Sequence, residues 1–203
     1  MKPASAHRTW PVAAPVGAAL LLAPGVLAFQ PTFGGLGGVV AAGTGVLVGC
    51  AVVTVGQRFG WPWWRFGLVL IAAYFLFGGA AALPRTTLWG IVPTLTTLHR
   101  LAGLTVQSWR DLLTVNVPAG DFVGPAVMPW LGGIAFGGLT AALAMRRRPL
   151  WPVLPAIAWL AIAIAFGGHD ETHASTLGLL MGVLAVGWAA SSPPAPACWW
   201  GAR

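Results

Sequence analysis

Six apolar runs, each close to the length of a membrane-spanning helix, occupy most of this chain of 203 residues. A transmembrane helix requires about 20 predominantly apolar residues. The runs are residues 10–29, 36–56, 64–83, 125–145, 150–167 and 174–190. Charged residues make up 7% of the chain, against about 25% in soluble proteins, which is too few to cover a soluble globule. The sequence therefore predicts an all-α integral membrane protein, a bundle of about six transmembrane helices with one external amphipathic helix.

The charged residues divide unevenly between the two sides that this arrangement creates. Eight of the eleven Lys and Arg fall on one side, and the other three fall on the opposite side with all four carboxylates. Loops rich in Lys and Arg remain in the cytoplasm, so we expect a multi-pass plasma-membrane protein with both termini cytoplasmic. The external loop would be residues 84–124, and residues 191–203 a low-complexity cytoplasmic tail. Because the basic residues do not cluster on a soluble face, nucleic-acid binding is not expected.

The first run has an alternative interpretation. Basic residues precede it, and it ends in Val26-Leu27-Ala28, which resembles a signal peptide with a small-residue cleavage site. Cleavage would leave five spans without changing the orientation of the others. We favour the uncleaved form.

Glycine and tryptophan follow patterns that are typical of membrane bundles. Four glycine pairs have the small-xxx-small spacing: Gly34/Gly38, Gly45/Gly49, Gly133/Gly137 and Gly178/Gly182. This spacing lets helix backbones approach closely. A chain rich in Ala and Gly also produces such pairs by chance, packing within the bundle would explain most of the rest, and a specific dimer interface is the alternative. Seven tryptophans lie near the ends of the runs and predict an aromatic belt: Trp10, Trp61, Trp63, Trp64, Trp89, Trp130 and Trp151. Cys50, inside the second run, is expected to be a small buried hydrophobe.

The external loop contains a candidate amphipathic helix. At 100° per residue its apolar residues fall within one arc: Leu95, Leu98, Leu101, Ala102, Val106, Trp109, Leu112 and Leu113. Leu104 does not fit this face. A helix of this kind lies in the membrane interface, with Trp109 toward the headgroups. It could be a structural strap over the bundle, a docking surface for an extracytoplasmic domain or partner, or a substrate-binding lid.

Catalytic and metal-binding chemistry is sparse. His169 and His173, spaced i, i+4 with Asp170 and Glu171 between them, are weak candidates for metal ligands, and a solvated turn before the last helix is the favoured interpretation. The zinc-protease pattern needs Glu directly after the first His, where this chain has Asp170. We predict no cofactor, and the absence of ionisable residues in the middle of any run disfavours a proton-coupled carrier.

Part of the chain resembles a known family. The resemblance rests on Pro93-Thr94, Ser108-Trp109-Arg110-Asp111-Leu112-Leu113-Thr114-Val115, Pro118-Ala119-Gly120, Met128-Pro129-Trp130-Leu131, Arg146-Arg147-Arg148-Pro149-Leu150 and Leu154-Pro155. These segments resemble the N-terminal membrane region of actinobacterial transglutaminase-like membrane proteins, in which an extracytoplasmic domain with a Cys-His-Asp triad follows the membrane bundle. This chain ends at Arg203 without such a domain, so no catalytic residue is carried over.

The resemblance implies a non-catalytic membrane scaffold of the cell envelope. Its partners would be the lipid bilayer and an extracytoplasmic transglutaminase-like domain or protein, contacted through Trp109, Arg110 and Asp111. The chain would then be either a truncated product or a membrane subunit encoded beside its catalytic partner. Two alternatives remain open: a small carrier for apolar or lipid-like cargo, which requires a central cavity, and a membrane metalloenzyme that uses the histidine cluster.

Overall fold

The computed structural model describes residues 13–82, 98–99, 101–105, 126–146, 150–166 and 171–191. The helices with defined bounds in these ranges are α1 (Ala13–Leu27), α2 (Phe29–Phe33), α3 (Leu36–Arg58), α4 (Trp63–Ala82), α5 (Val127–Ala144), α6 (Val153–Phe166) and α7 (Glu171–Ser191). Three helices are long and apolar enough to cross a membrane: Leu36–Arg58, Val127–Ala144 and Ala174–Ser191. Three shorter apolar helices are Ala14–Leu27, Trp63–Gly79 and Val153–Phe166. Each apolar run therefore contains a helix, and the prediction of a helical protein with membrane-compatible helices is confirmed.

The closest backbone contact among the described helices joins α3 and α5. Both helices present glycines to each other at this contact: Gly45, Gly49, Gly133 and Gly137. A Cβ added to Gly45 would lie 2.6 Å from the carbonyl oxygen of Trp130, and one added to Gly137 would lie 2.7 Å from that of Val46. The two backbones thus touch directly, which maximises van der Waals contact where lipid supplies no hydrophobic drive for association. Two of the four predicted glycine pairs are confirmed here as bundle contacts.

The other two glycine pairs have different roles. Gly34 ends α2 with φ of +62°, a left-handed conformation that glycine adopts without steric strain, and Gly38 lies against the ring of Phe33. Gly178 and Gly182 on α7 have nothing within 4 Å of an added Cβ. These two pairs therefore mark no backbone contact between described helices, because the first pair lies at a turn and the second faces open space.

Trp159 of α6 holds α1, α2 and α5 together. Its indole ring lies against Gly25 on α1 and Gly132 on α5. Its centroid is 5.1 Å from that of Phe29 and 5.3 Å from that of Phe136. Two glycines therefore open a slot for the largest side chain, and two phenylalanines close it. Only 2% of Trp159 is exposed, so it is a principal core residue.

The outer helices pack by similar means. Gly56 of α3 lies under the rings of Trp61 and Phe66, which fixes the start of α4, and Trp188 of α7 lies against Gly17 of α1. Only 11% of the apolar window of α7 is buried, against 44% in α3 and 50% in α5. α7 is therefore the peripheral helix, and α3 and α5 are central.

The direction of the helices places two connections at one end of the bundle. A Cβ added to Gly45 would meet Trp130, one added to Gly49 would lie 2.7 Å from the nitrogen of Gly138, and one added to Gly138 would lie 3.4 Å from Val53 Cγ2. Because residue numbers on α3 and α5 generally rise together, the two helices run parallel. The α3–α4 connection and the α5–α6 connection therefore lie at the same end, here called the basic end. This agrees with the predicted alternation of loops.

Trp130 does not belong to the aromatic belt. It lies near the beginning of α5, where the sequence placed it at a membrane interface, but its side chain is 0% exposed. Gly78 of α4 leaves space for the indole, since an added Cβ there would lie 2.8 Å from Trp130 Nε1. Trp63, Trp64 and Trp151 are exposed as a belt requires, whereas Trp10 and Trp89 lie outside the described residues.

Candidate functional site: a docked segment at the bundle surface

A short helical segment from the predicted external loop packs against the end of the bundle opposite the basic end. We call its described residues, 98–99 and 101–105, the docked segment. Leu101 is 0% exposed and belongs to a cluster with Tyr74, Val127, Trp130 and other buried side chains of α3, α4 and α5. Gly78 provides the space, because an added Cβ would lie 2.8 Å from Leu101 Cδ2. One leucine therefore anchors the segment in a socket between helices.

A chain of hydrogen bonds accompanies this apolar anchor. The hydroxyl of Thr105 donates to the carbonyl of Leu101 at 2.7 Å. The hydroxyls of Tyr74 and Thr105 are 2.6 Å apart, and since the single Thr105 proton is already used, Tyr74 donates. Trp130 Nε1 donates to the carbonyl of Tyr74 at 3.3 Å. The part-buried Tyr74 hydroxyl thus has a partner in a region where an unpaired polar group is unfavourable.

The face that contacts the bundle differs from the predicted one. Leu104 packs against the same cluster as Leu101, although the sequence-based helical wheel excluded it. Ala102, which the wheel placed on the apolar face, is exposed, as are His99 and Gly103. The contact face therefore follows the spacing 101, 104 and 105, because the socket beside Gly78 and the Tyr74 hydroxyl select the orientation. Outward, the segment presents His99, Ala102 and Gly103.

The residues predicted for docking and metal binding are only partly described. Trp109, Arg110 and Asp111 lie outside the described residues, and so does His169. His173 lies in the first turn of α7, and the structure does not describe its side chain. Within the described part of the chain, no group of three or more His, Cys, Asp or Glu side chains could hold a metal ion.

Cys50 has the structural role expected from the sequence. It is a buried free cysteine in α3, and its Sγ donates to the carbonyl of Gly137 at 3.4 Å. The thiol therefore adds a weak polar contact at the glycine interface between α3 and α5, and it belongs to the packed core rather than to a reactive site.

Sequence reasoning missed Tyr74 and Thr105. Tyr74 is the only tyrosine of the chain and lies within an apolar run. A hydroxyl at such a position needs a hydrogen-bond partner, and this requirement could have identified Tyr74 as a contact residue. The identity of the partner was not accessible, since Thr105 is 31 residues away along the chain.

Comparison with known proteins gives no relative for this chain. No family model, curated protein or solved structure matches it. The resemblance to transglutaminase-like membrane proteins accordingly remains a prediction.

Proposed function

We propose that this protein is a non-catalytic membrane scaffold with six spans that holds its external loop at the membrane surface as a docking platform. The observation that carries the proposal is the anchoring of the docked segment. Leu101 is buried in a socket of the bundle, and Thr105 bonds to Tyr74 of α4. Such anchoring gives residues 101–105 a defined position on the bundle, and binding residues on loops are generally presented from such a scaffold.

The arrangement of six apolar helices supports the number of spans. Three of them have the required length on their own, and three are shorter. α1 is followed through Ala28 by the five-residue α2, in which Phe29, Thr32 and Phe33 are buried. The α3–α4 and α5–α6 connections share the basic end, and under the positive-inside rule this supports a cytoplasmic position for that end. Both termini would then be cytoplasmic in the plasma membrane.

The partner proposed for the platform is an extracytoplasmic transglutaminase-like domain or protein. This part rests on the sequence resemblance, which is strongest around Trp109, Arg110 and Asp111. Trp109 lies four residues beyond Thr105, the last described residue of the docked segment. The anchoring of this segment through Leu101 and Thr105 would therefore hold the three residues close to the bundle surface, where a partner can meet them.

The packed interior favours a scaffold over a carrier of apolar cargo. A carrier needs a cavity at membrane depth, but the backbones of α3 and α5 touch along their glycines. Trp130 and Trp159 are both almost completely buried, and they fill the space beside Gly78 of α4 and Gly25 of α1. A rigid bundle is suited to holding a platform in place.

Affinity purification from cells that carry the natural gene tests the proposal. The wild-type chain should recover a protein with a transglutaminase-like domain, identified by mass spectrometry. The double variant Trp109→Ala/Arg110→Ala should recover at least about tenfold less, because truncating central aromatic and arginine contacts costs about 2 kcal/mol or more. The matched control is Trp63→Ala, which removes an exposed tryptophan at the basic end. Unchanged recovery of every partner by the double variant would contradict the proposal.

A further inference from the structure

The α3–α4 connection is a rigid turn that carries exposed arginines and aromatic rings. The amide of Trp61 donates to the carbonyl of Gly56 at 2.9 Å, and that of Gly60 to Gln57 at 3.2 Å. Gly60 has φ of +65°, a left-handed conformation that glycine tolerates. The rings of Trp61 and Phe66, 6.2 Å apart, lie over Gly56. The turn is thus fixed on its inner side.

The outer side of this turn presents both aromatic and basic side chains. Three aromatic side chains are exposed: Phe59 is 71% exposed, Trp63 86% and Trp64 49%. Arg58 and Arg65 flank them and are exposed. The Arg65 guanidinium carbon lies 5.2 Å from the centroid of the Trp64 ring. This stacking orients the guanidinium and leaves its N–H edges available to an anion.

A third arginine reaches the same end from the neighbouring helix. Arg146 follows α5 and is exposed. Val53 lies beside Gly138, and the helices run parallel, so Arg58 and Arg146 lie within about one helical turn of each other along the axis. Glu171, the single carboxylate among the described residues, begins α7 at the opposite end. No described acid therefore neutralises the three guanidinium groups.

We infer that the basic end binds the headgroup of an anionic phospholipid, with Arg58, Arg65 and Arg146 around the phosphodiester. Guanidinium groups bind phosphate oxygens in bidentate fashion. Exposed Trp rings favour the headgroup level of a bilayer, so Trp63 and Trp64 hold the turn at the depth where the phosphates lie. The inference rests on the membrane placement proposed above and is independent of the docking partner.

Lipid retention tests this inference directly. The full chain is reconstituted into vesicles of equal parts phosphatidylcholine and phosphatidylglycerol, re-extracted in mild detergent, and its bound phospholipids are quantified by mass spectrometry. The wild-type chain should retain phosphatidylglycerol preferentially. Arg58→Gln/Arg65→Gln should lower this preference by about fivefold for each arginine neutralised, while Arg58→Lys/Arg65→Lys should keep part of it because the charge remains.

The matched control changes net charge equally at other positions. Arg85→Gln/Arg100→Gln removes two arginines of the predicted external loop and should leave the preference unchanged. An equal loss in this control would mean that net charge alone attracts the lipid, and it would overturn the inference. Undiminished preference in the Arg58→Gln/Arg65→Gln chain would overturn it as well. A chain that fails to enter the vesicles at all would instead contradict the membrane placement.

Discussion

Replacement of Gly49 by alanine tests the backbone contact between α3 and α5. An alanine Cβ at this position would meet the carbonyl oxygen of Ile134 and would lie 2.7 Å from the backbone nitrogen of Gly138. Real Cβ contacts are almost never closer than 3.0 Å. Because both neighbours are backbone atoms of a helix, neither can rotate away. The two helices must separate by a large fraction of an ångström along their whole contact.

The magnitude follows from two opposing effects. Alanine favours a helix over glycine by about 0.5–1 kcal/mol, whereas forced overpacking of a well-packed interface costs about 1–3 kcal/mol. The clash involves two backbone atoms, so we take the upper end of the range and expect a net loss of about 2 kcal/mol. For a chain of this length, such a loss lowers the melting temperature by about 4–8 °C.

The assay is thermal unfolding of the purified chain in detergent, followed by tryptophan fluorescence. The matched control is Gly182→Ala on α7, where an added Cβ meets nothing within 4 Å. The control keeps the gain in helix propensity without the clash, and its melting temperature should rise by about 1–4 °C. If Gly49→Ala melts at or above the wild-type temperature, the backbone contact does not exist as described.

Three further changes probe other parts of the fold. Tyr74→Phe removes the hydrogen bond to Thr105, worth about 0.5–1.5 kcal/mol, and should accelerate hydrogen exchange of residues 101–105 by about threefold to tenfold while the bundle keeps its protection; unaltered exchange would contradict the anchoring. Trp159→Ala should destabilise the chain by about 3–5 kcal/mol. Trp159→Phe should destabilise it by clearly less, because Nε1 of this indole has no hydrogen-bond partner to lose and a phenyl ring still fills much of the space. Equal melting temperatures of the two variants would refute this account. In a Cys198→Ala background, Cys50 should resist maleimide until the chain is unfolded in denaturing detergent, since it is buried; rapid labelling of the folded chain would show that the α3–α5 contact opens.

The helices could be predicted from the sequence because apolar runs of this length have few alternatives. Each predicted run contains a helix, although α6 covers only Val153–Phe166. In lipid every backbone polar group must be satisfied within the segment, so length and hydropathy are sufficient to predict a helix. This constraint acts on one helix at a time and carries no information about its neighbours.

The partners of the helices could not be predicted for that reason. Gly45/Gly49 and Gly178/Gly182 have the same spacing, yet the first pair touches another backbone and the second faces open space. The spacing specifies which face of the helix is small, but the contact also requires a second helix with a small face in register. Gly133 and Gly137 supply that face for α3, and no described helix supplies it for α7.

The orientation of the docked segment also could not be predicted from its own sequence pattern. Its apolar residues allow more than one orientation, and periodicity alone selected a face that included Ala102 and excluded Leu104. The bundle selects differently, because Gly78 opens a socket for Leu101 and the hydroxyl of Tyr74 requires a partner. Gly78 and Tyr74, a glycine and a polar residue within an apolar helix, thus determine which face of the segment contacts the bundle, which hydrophobicity alone does not.

The contacts also rank the parts of the molecule by strength. α3 and α5 are joined through backbone contact along four glycines. The docked segment is held by the buried side chain of Leu101, by the packing of Leu104 against the same cluster and by a hydrogen bond from Tyr74. Local opening takes place where few buried contacts must break. A change that weakens these anchors is therefore expected to loosen residues 101–105 before it loosens the contact between α3 and α5.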